Sequence, residues 1–279
     1  MTESRGLAIL LVAPALALVI ALFLYPLLFS VASAFSDPAT GELSLINFQK
    51  AYELYSIDIA YTLFIVVAAT ALTALAAIAI AGYLTMGETP WLLTGLAWLY
   101  RWPLFIPFIV AAQCMRTFLA KNGLMNNSFV AMGVLDPAQT VSFLDWRGVL
   151  ITFVWKQTPF VALLLAGAMA SLDRATIEAA RNLGASRLRA LIEVVLPQVG
   201  PTLMVGSILS FVTMLSVLSV PVMVAGSQPT MLTVDMAFRI NAYGDYNVAN
   251  ALGVISYLMT AVTAWIYLRR SVREQRDGS

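Results

Sequence analysis

From residue 6 to residue 35 the chain carries no charged side chain, and long apolar runs of this kind recur to its end. Each run reaches or approaches the roughly 20 residues that a helix needs to cross a bilayer. Inside hydrocarbon a lone segment must satisfy its own backbone hydrogen bonds, so such runs read as helices. Six are expected, at residues 6–35, about 61–84, 102–119, 148–170, 202–225 and 248–268. The expected fold class is all-α integral membrane with six transmembrane helices, residues 1–279 forming a single domain without internal repeats. Charged residues are 11% of the chain, against about 25% in soluble domains, too few to cover a water-facing surface. Arg5 and the stretch Ala32-Ser33-Ala34 resemble a cleavable signal. The first run far exceeds a signal's apolar stretch of about 7–15 residues, so it is expected as a retained span.

Orientation follows the bias of Lys and Arg toward the cytoplasmic side. With the N-terminus inside, the inner segments hold Arg5, Arg101, Arg174, Arg181, Arg187, Arg189, Arg269, Arg270, Arg273 and Arg276. The outer segments hold only Lys50, Lys121, Arg147 and Arg239. Both termini are then cytoplasmic. The inner segment 86–100 has no Lys or Arg but carries Trp91 and Trp98, and is expected to lie along the interface as a short helix.

Several function classes drop out. The chain has no histidine and one cysteine, Cys114, which removes disulfide frameworks, the usual zinc sites and histidine-based triads. No catalytic residue and no metal site is expected. A net charge of +1 gives no reason to invoke nucleic acid; the lipid bilayer is the expected surrounding. A P-loop needs GxxxxGK[ST], but Lys50, Lys121 and Lys156 follow Gln49, Ala120 and Trp155. No nucleotide site of that kind lies in this chain.

The largest polar interruption is 171–201, SLDRATIEAARNLGASRLRALIEVVLPQVGP. Asp173 is placed to cap a first helix, and Gly184 to end it in a left-handed turn. Arg174, Glu178 and Arg181 then share one face. Ser186 is placed to cap a second helix with an apolar stripe at Leu188, Leu191, Ile192 and Val195. Pro197 is expected to end that helix, and Pro201 to open the next span. On periodicity alone two readings stand: an interfacial helix pair with arginines on lipid phosphates, or a surface offered to a cytoplasmic partner.

The spacing of particular residues adds to this. Glu178-Ala179-Ala180, Gly184, Val194 and Leu196-Pro197 resemble the EAA loop of membrane subunits of binding-protein-dependent ABC importers, although the family usually has Ile where this chain has Val194. Weaker resemblances to sugar-type permeases lie at Arg101, Pro103, Phe105 and Pro107, at 123–126, at 155–160 and at 226–256. Polyamine-type permeases share much of this outline. The resemblance implies the type I ABC importer permease architecture, with the loop as a cytoplasmic coupling helix in which Glu178, Ala179, Ala180, Arg181 and Gly184 meet an ATPase. It also implies the partners: a second homologous permease subunit, two cytoplasmic ATPase subunits that hold ATP and Mg, and an external solute-binding protein. The chain itself then needs no cofactor and is no enzyme.

Polar residues inside the spans are candidates for a solute pathway. Arg116 and Lys156 are charged within apolar runs, functional candidates unless they snorkel. Gln113, Gln157, Thr158, Asn250 and Ser256 either face a path or bond neighbouring helices. Ser207, Ser210, Thr213, Ser216 and Ser219 recur every third residue, a spacing that drifts around a helix, so at most a patch of three, Ser210 and Thr213 among them, can face one path, and interhelical packing is the other reading. Pro221 is expected to kink the fifth span. Basic rather than acidic intramembrane charge favours a neutral or anionic, hydroxyl-rich solute such as a sugar over a polyamine. An ion-coupled secondary transporter is the alternative from a different class; it would more often show an internal repeat or carboxylates in the spans.

Overall fold

The structure, a computed structural model, describes residues 3–225 and 228–277. Its helices are α1 (Glu3–Val19) and α2 (Tyr25–Ala34), joined by a π turn at Ile20–Leu24, then α3 (Ile46–Met86), α4 (Pro90–Leu99), α5 (Phe108–Leu119), α6 (Leu124–Ala131) and α7 (Trp146–Ala170). These are followed by α8 (Arg174–Asn182), α9 (Arg187–Ala190) and α10 (Leu196–Ser216), the last two joined by a π turn at Leu191–Val195. The chain closes with α11 (Ser219–Val224), α12 (Leu232–Tyr243) and α13 (Tyr246–Asp277). Among the described residues the one strand-like pairing is an isolated bridge between Ser36 and Leu43. The all-α expectation holds. Gly226 lies outside the described residues, as do the side chains of Arg5, Arg270, Arg273 and Arg276.

Among the described residues five stretches are long and apolar enough to cross a membrane: Leu11–Ala34, Ile46–Met86, Trp146–Ala170, Arg187–Ser216 and Tyr246–Trp265. The crossing expected at 102–119 is broken. Pro90–Phe105 and Phe108–Ala131 form a sixth apolar stretch only as a pair bent by 110°. Pro107 is the cause: it has no N–H to donate, and its ring drives Ile106 out of helical conformation, to φ −88° and ψ 122°. The segment 86–100 does contain a helix, α4, with Trp91 and Trp98 exposed on it.

Two prolines, Pro26 within the first span and Pro197, which was expected to end a helix, are carried through by π turns. Tyr25 donates its N–H to the Ile20 carbonyl, and Leu196 donates to that of Leu191. The widened turn leaves Pro26 and Pro197 in the first turn of the following helix, where a missing N–H leaves no gap in the ladder. The second helix of the insert therefore does not stop at Pro197. It runs on through Pro201, which opens nothing, to Ser216. The break that does occur is at Val217, which is extended, so Pro221 falls in the first turn of α11 and kinks no span.

The residues group into two compact units, one of Met1–Ser56 with Asp235–Leu258, the other of Ile57–Val234 with Met259–Ser279. In the first, buried Asn47 donates its amide to the carbonyls of Ala34 and Ser36 at 3.0 and 2.8 Å. Asn247 donates to those of Ser33 and Ser36 at 3.3 and 3.1 Å. These carbonyls lie at or just past the end of α2, where helices leave acceptors unpaired. In the second unit the core gathers Ile65, Val66, Phe153, Met214, Val220 and Met231. The carboxylate of Asp58 accepts from Thr230 N at 2.7 Å and Thr62 Oγ1 accepts from Leu232 N at 3.0 Å, which ties the start of α12 to α3. A second cluster, Ala81, Leu165, Met169, Leu191, Val195 and Val199, packs α3, α7 and the polar insert together.

Candidate functional site

The insert forms the helical hairpin that its capping residues dictate. Asp173 accepts from Ala175 N at 2.9 Å to start α8, and Ser186 accepts from Arg189 N at 3.3 Å to start α9. Each cap fills one of the N–H groups that a helix start leaves orphaned. Between them Gly184 sits at φ +89°, in the left-handed region that a side chain disfavours. A Cβ there would meet nothing within 4 Å, so the requirement at Gly184 is conformational.

The apolar stripe of the second helix splits. Leu191 and Val195 are buried against α3 and α7, whereas Leu188 is 65% and Ile192 54% exposed. At the hairpin tip Leu183 is 91% exposed. Glu178, Ala179, Arg181 and Gly184 are exposed and Ala180 half-buried. A short helix with small residues, a charged flank and bare leucine at its tip presents contact area without filling its own core.

Arg174, Glu178 and Arg181 line one cavity of about 330 Å3, together with Thr85, Glu88 and Met169. The shared face is therefore present, but Arg181 pairs elsewhere. It donates to Glu88 Oε1 at 3.5 Å, and Arg187 pairs with the same oxygen. Hydrogen bonding from Arg187 holds the Glu88 carboxyl below the usual carboxylate range, and Arg181 adds to it. Because the folded value is depressed, the pairing stays intact at neutral pH and is lost as pH falls through that lowered value. Sequence reasoning missed Glu88. The available signal was that it is the lone charged residue in 86–100.

The pathway candidates scatter more. Lys156, Gln157 and Thr158 are consecutive on α7, so they point about 100° apart. Lys156 is 6% exposed, its ammonium 3.4 Å from the Leu104 carbonyl and 4.9 Å from the Phe108 ring centre, one residue on each side of the broken crossing. Gln157 donates to the Ser210 carbonyl at 3.5 Å, which brings those two candidates together. Ser210 Oγ is buried and unpaired. Thr158 and Thr213 donate to carbonyls of their own helices at 2.6 and 2.7 Å. Thr158 also borders an aromatic groove of about 730 Å3 with Trp98, Tyr100, Trp102 and Trp155. Gln113 lines a neighbouring groove of about 520 Å3 that shares Trp155, and Arg116 is exposed on the same helix, α5. Asn250 belongs to the first unit, where its Oδ1 accepts from Ser30 at 2.8 Å and joins α13 to α2. Gly123 and Asn126 open α6, and Asn126 donates to the carbonyls of Ala120 and Lys121 just before it and of Val141.

Comparison with known proteins gives a consistent picture. Residues 77–269 match the family described as binding-protein-dependent transport system inner membrane component. The sulfoquinovosyl glycerol transport system permease protein SmoG of Agrobacterium fabrum is 27% identical, covering 95% of this chain and 90% of that protein. The trehalose/maltose transport system permease protein MalF of Thermococcus litoralis is 27% identical over 60% of this chain and 58% of its own length. The spermidine/putrescine transport system permease protein PotB of Escherichia coli is 24% identical, over 60% of this chain and 62% of that protein. Among solved structures, a chain of a bacterial alginate ABC transporter, crystallised with its alginate pentasaccharide-bound periplasmic protein, superposes with a TM-score of 0.77. It is 20% identical and the match covers 97% of this chain and 96% of that one, which places the fold.

Proposed function

The chain belongs to the family of binding-protein-dependent transport system inner membrane components, and within it we propose the membrane subunit of an ATP-driven importer for a sugar or related carbohydrate. The observation that carries the carbohydrate reading is the near full-length similarity to a sulfoquinovosyl glycerol permease protein. The polyamine reading draws on a shorter match, over 60% of the chain, and the charges inside the apolar runs 102–119 and 148–170, Arg116 and Lys156, are both basic, which weighs against it.

In this reading the chain sits in the bacterial inner membrane with both termini and the 171–201 hairpin in the cytoplasm. A second homologous permease completes the pathway and an external binding protein delivers the solute. Two ATPase subunits hold ATP and Mg. Helix α8 seats in an ATPase groove, where Ala179 and Ala180 permit close approach, Glu178 and Arg181 supply charged contacts, and Gly184 sets the turn. The surplus exposure of Leu183 supports this seat, since a bare leucine at a polar tip gains by being covered. Gln113, Arg116, Lys156, Gln157, Thr158, Ser210, Thr213 and Asn250 are the residues from which this chain would contribute to the path.

The test is uptake by the complex assembled with its ATPase, partner permease and binding protein in proteoliposomes. Uptake of a carbohydrate is expected only with ATP inside and binding protein outside. Uptake that persists without ATP, driven by an ion gradient, would sink the reading.

A further inference from the structure

Three features fasten the hairpin to the C-terminal end of α3, and its own flanking helices do not require them. The first is Gly82 of α3. A Cβ there would lie 2.8 Å from Leu191 Cδ2, so the bare backbone forms the notch in which buried Leu191 sits. Glycine inside a helix is unfavourable relative to alanine, and the close approach gives this one a packing reason. The second is the turn after α3, where a Cβ on Gly87 would lie 2.5 Å from the Tyr83 carbonyl; glycine lets the chain double back tightly and present the next residue. That residue, Glu88, is the third. Its Oε1 takes Arg181 from α8 and Arg187 from α9 at once, one arginine from each arm of the hairpin.

We propose that Glu88 is a positioning residue that clasps both arms of the hairpin to α3, with Gly82 as the matching notch, so that motion imposed on α8 reaches α3 directly. The clasp is exposed, and exposed ion pairs add little to stability. Its value is geometric: a carboxylate shared by two arginines fixes the angle between the arms across Gly184. Arg174 and Glu178 line the same cavity, so the clasp sits among further charge that a docked partner would desolvate and strengthen. This inference rests on the coupling role proposed above.

The experiment compares uptake with ATP hydrolysis in the assembled complex in proteoliposomes. Glu88→Gln should leave the ATPase bound and hydrolysis within about twofold of wild type, while uptake per ATP falls about tenfold, in the usual range of coupling between sites. Arg187→Gln, which removes the α9 partner and none of the residues offered to the ATPase, should lower uptake per ATP comparably, and Glu88→Gln with Arg187→Gln should fall no more than about twofold below either single variant. Unchanged uptake per ATP in Glu88→Gln, or losses that multiply in the double variant, overturns the clasp. Either result leaves the parent reading standing as long as wild-type uptake requires ATP; wild-type uptake without ATP removes the parent reading instead.

Discussion

Lys156 is buried where a charge is expensive. A lysine near the middle of a transmembrane helix costs roughly 2.5–3.5 kcal/mol on insertion scales. Against that stand a donation to Leu104 at 3.4 Å, longer than the usual range of about 2.7–3.2 Å, and a ring contact at 4.9 Å, worth roughly 0.5–2 kcal/mol. These contacts leave little or no surplus over the burial, so stability does not account for the residue. Lys156→Met is therefore expected to melt at the wild-type temperature or above while carbohydrate uptake falls about tenfold, an ordinary loss for one charged hydrogen bond. Thermal unfolding and uptake measured on the same preparation check this; earlier melting with unchanged uptake per folded complex would assign Lys156 to stapling the break at Pro107. Sequence marked Lys156 by its charge in an apolar run. It could not mark Leu104 and Phe108 as its neighbours, because that contact depends on a break in a different helix.

At the scale of elements, the hairpin was the most legible part of the chain. Asp173, Ser186 and Gly184 each specify a local geometry, and each is found in it. What stayed hidden was set by context. Pro197 reads as a stop unless a π turn precedes it, and no residue type announces a π turn. The apolar run at 102–119 has the composition of a span, yet Pro107 divides it. Gly82 carries no signal at all until Leu191 is seen against it. For Gly184 the open surroundings isolate one cause. Valine there meets no steric neighbour but pays left-handed backbone strain of about 1–2 kcal/mol, which the hairpin can relieve by changing the angle between its arms. Gly184→Val is expected to insert and assemble but lose most uptake per ATP, whereas Gly184→Asn, which tolerates that conformation better, should keep most of it. Equal uptake per ATP in the two variants would show that the turn angle does not matter.

For the molecule as a whole, composition placed the chain in a bilayer, and the exposed apolar surface of the described helices agrees. Leu22, Phe23 and Phe29 on the first span, with Phe64, Leu75 and Trp98 beyond it, would have no place against water. The partners could not be read with the same directness, since the ATPase and binding protein are other chains and only the hairpin points to one of them. Before the family was established, that hairpin fitted two descriptions: an interfacial pair lying in lipid headgroups, or a joint to a motor. The bare tip at Leu183 separates them experimentally. A photo-reactive residue in place of Leu183, activated in the assembled complex in membranes, should cross-link the hairpin to the ATPase subunit. Adducts with lipid alone, and none with the ATPase, would contradict the coupling role on which the account depends.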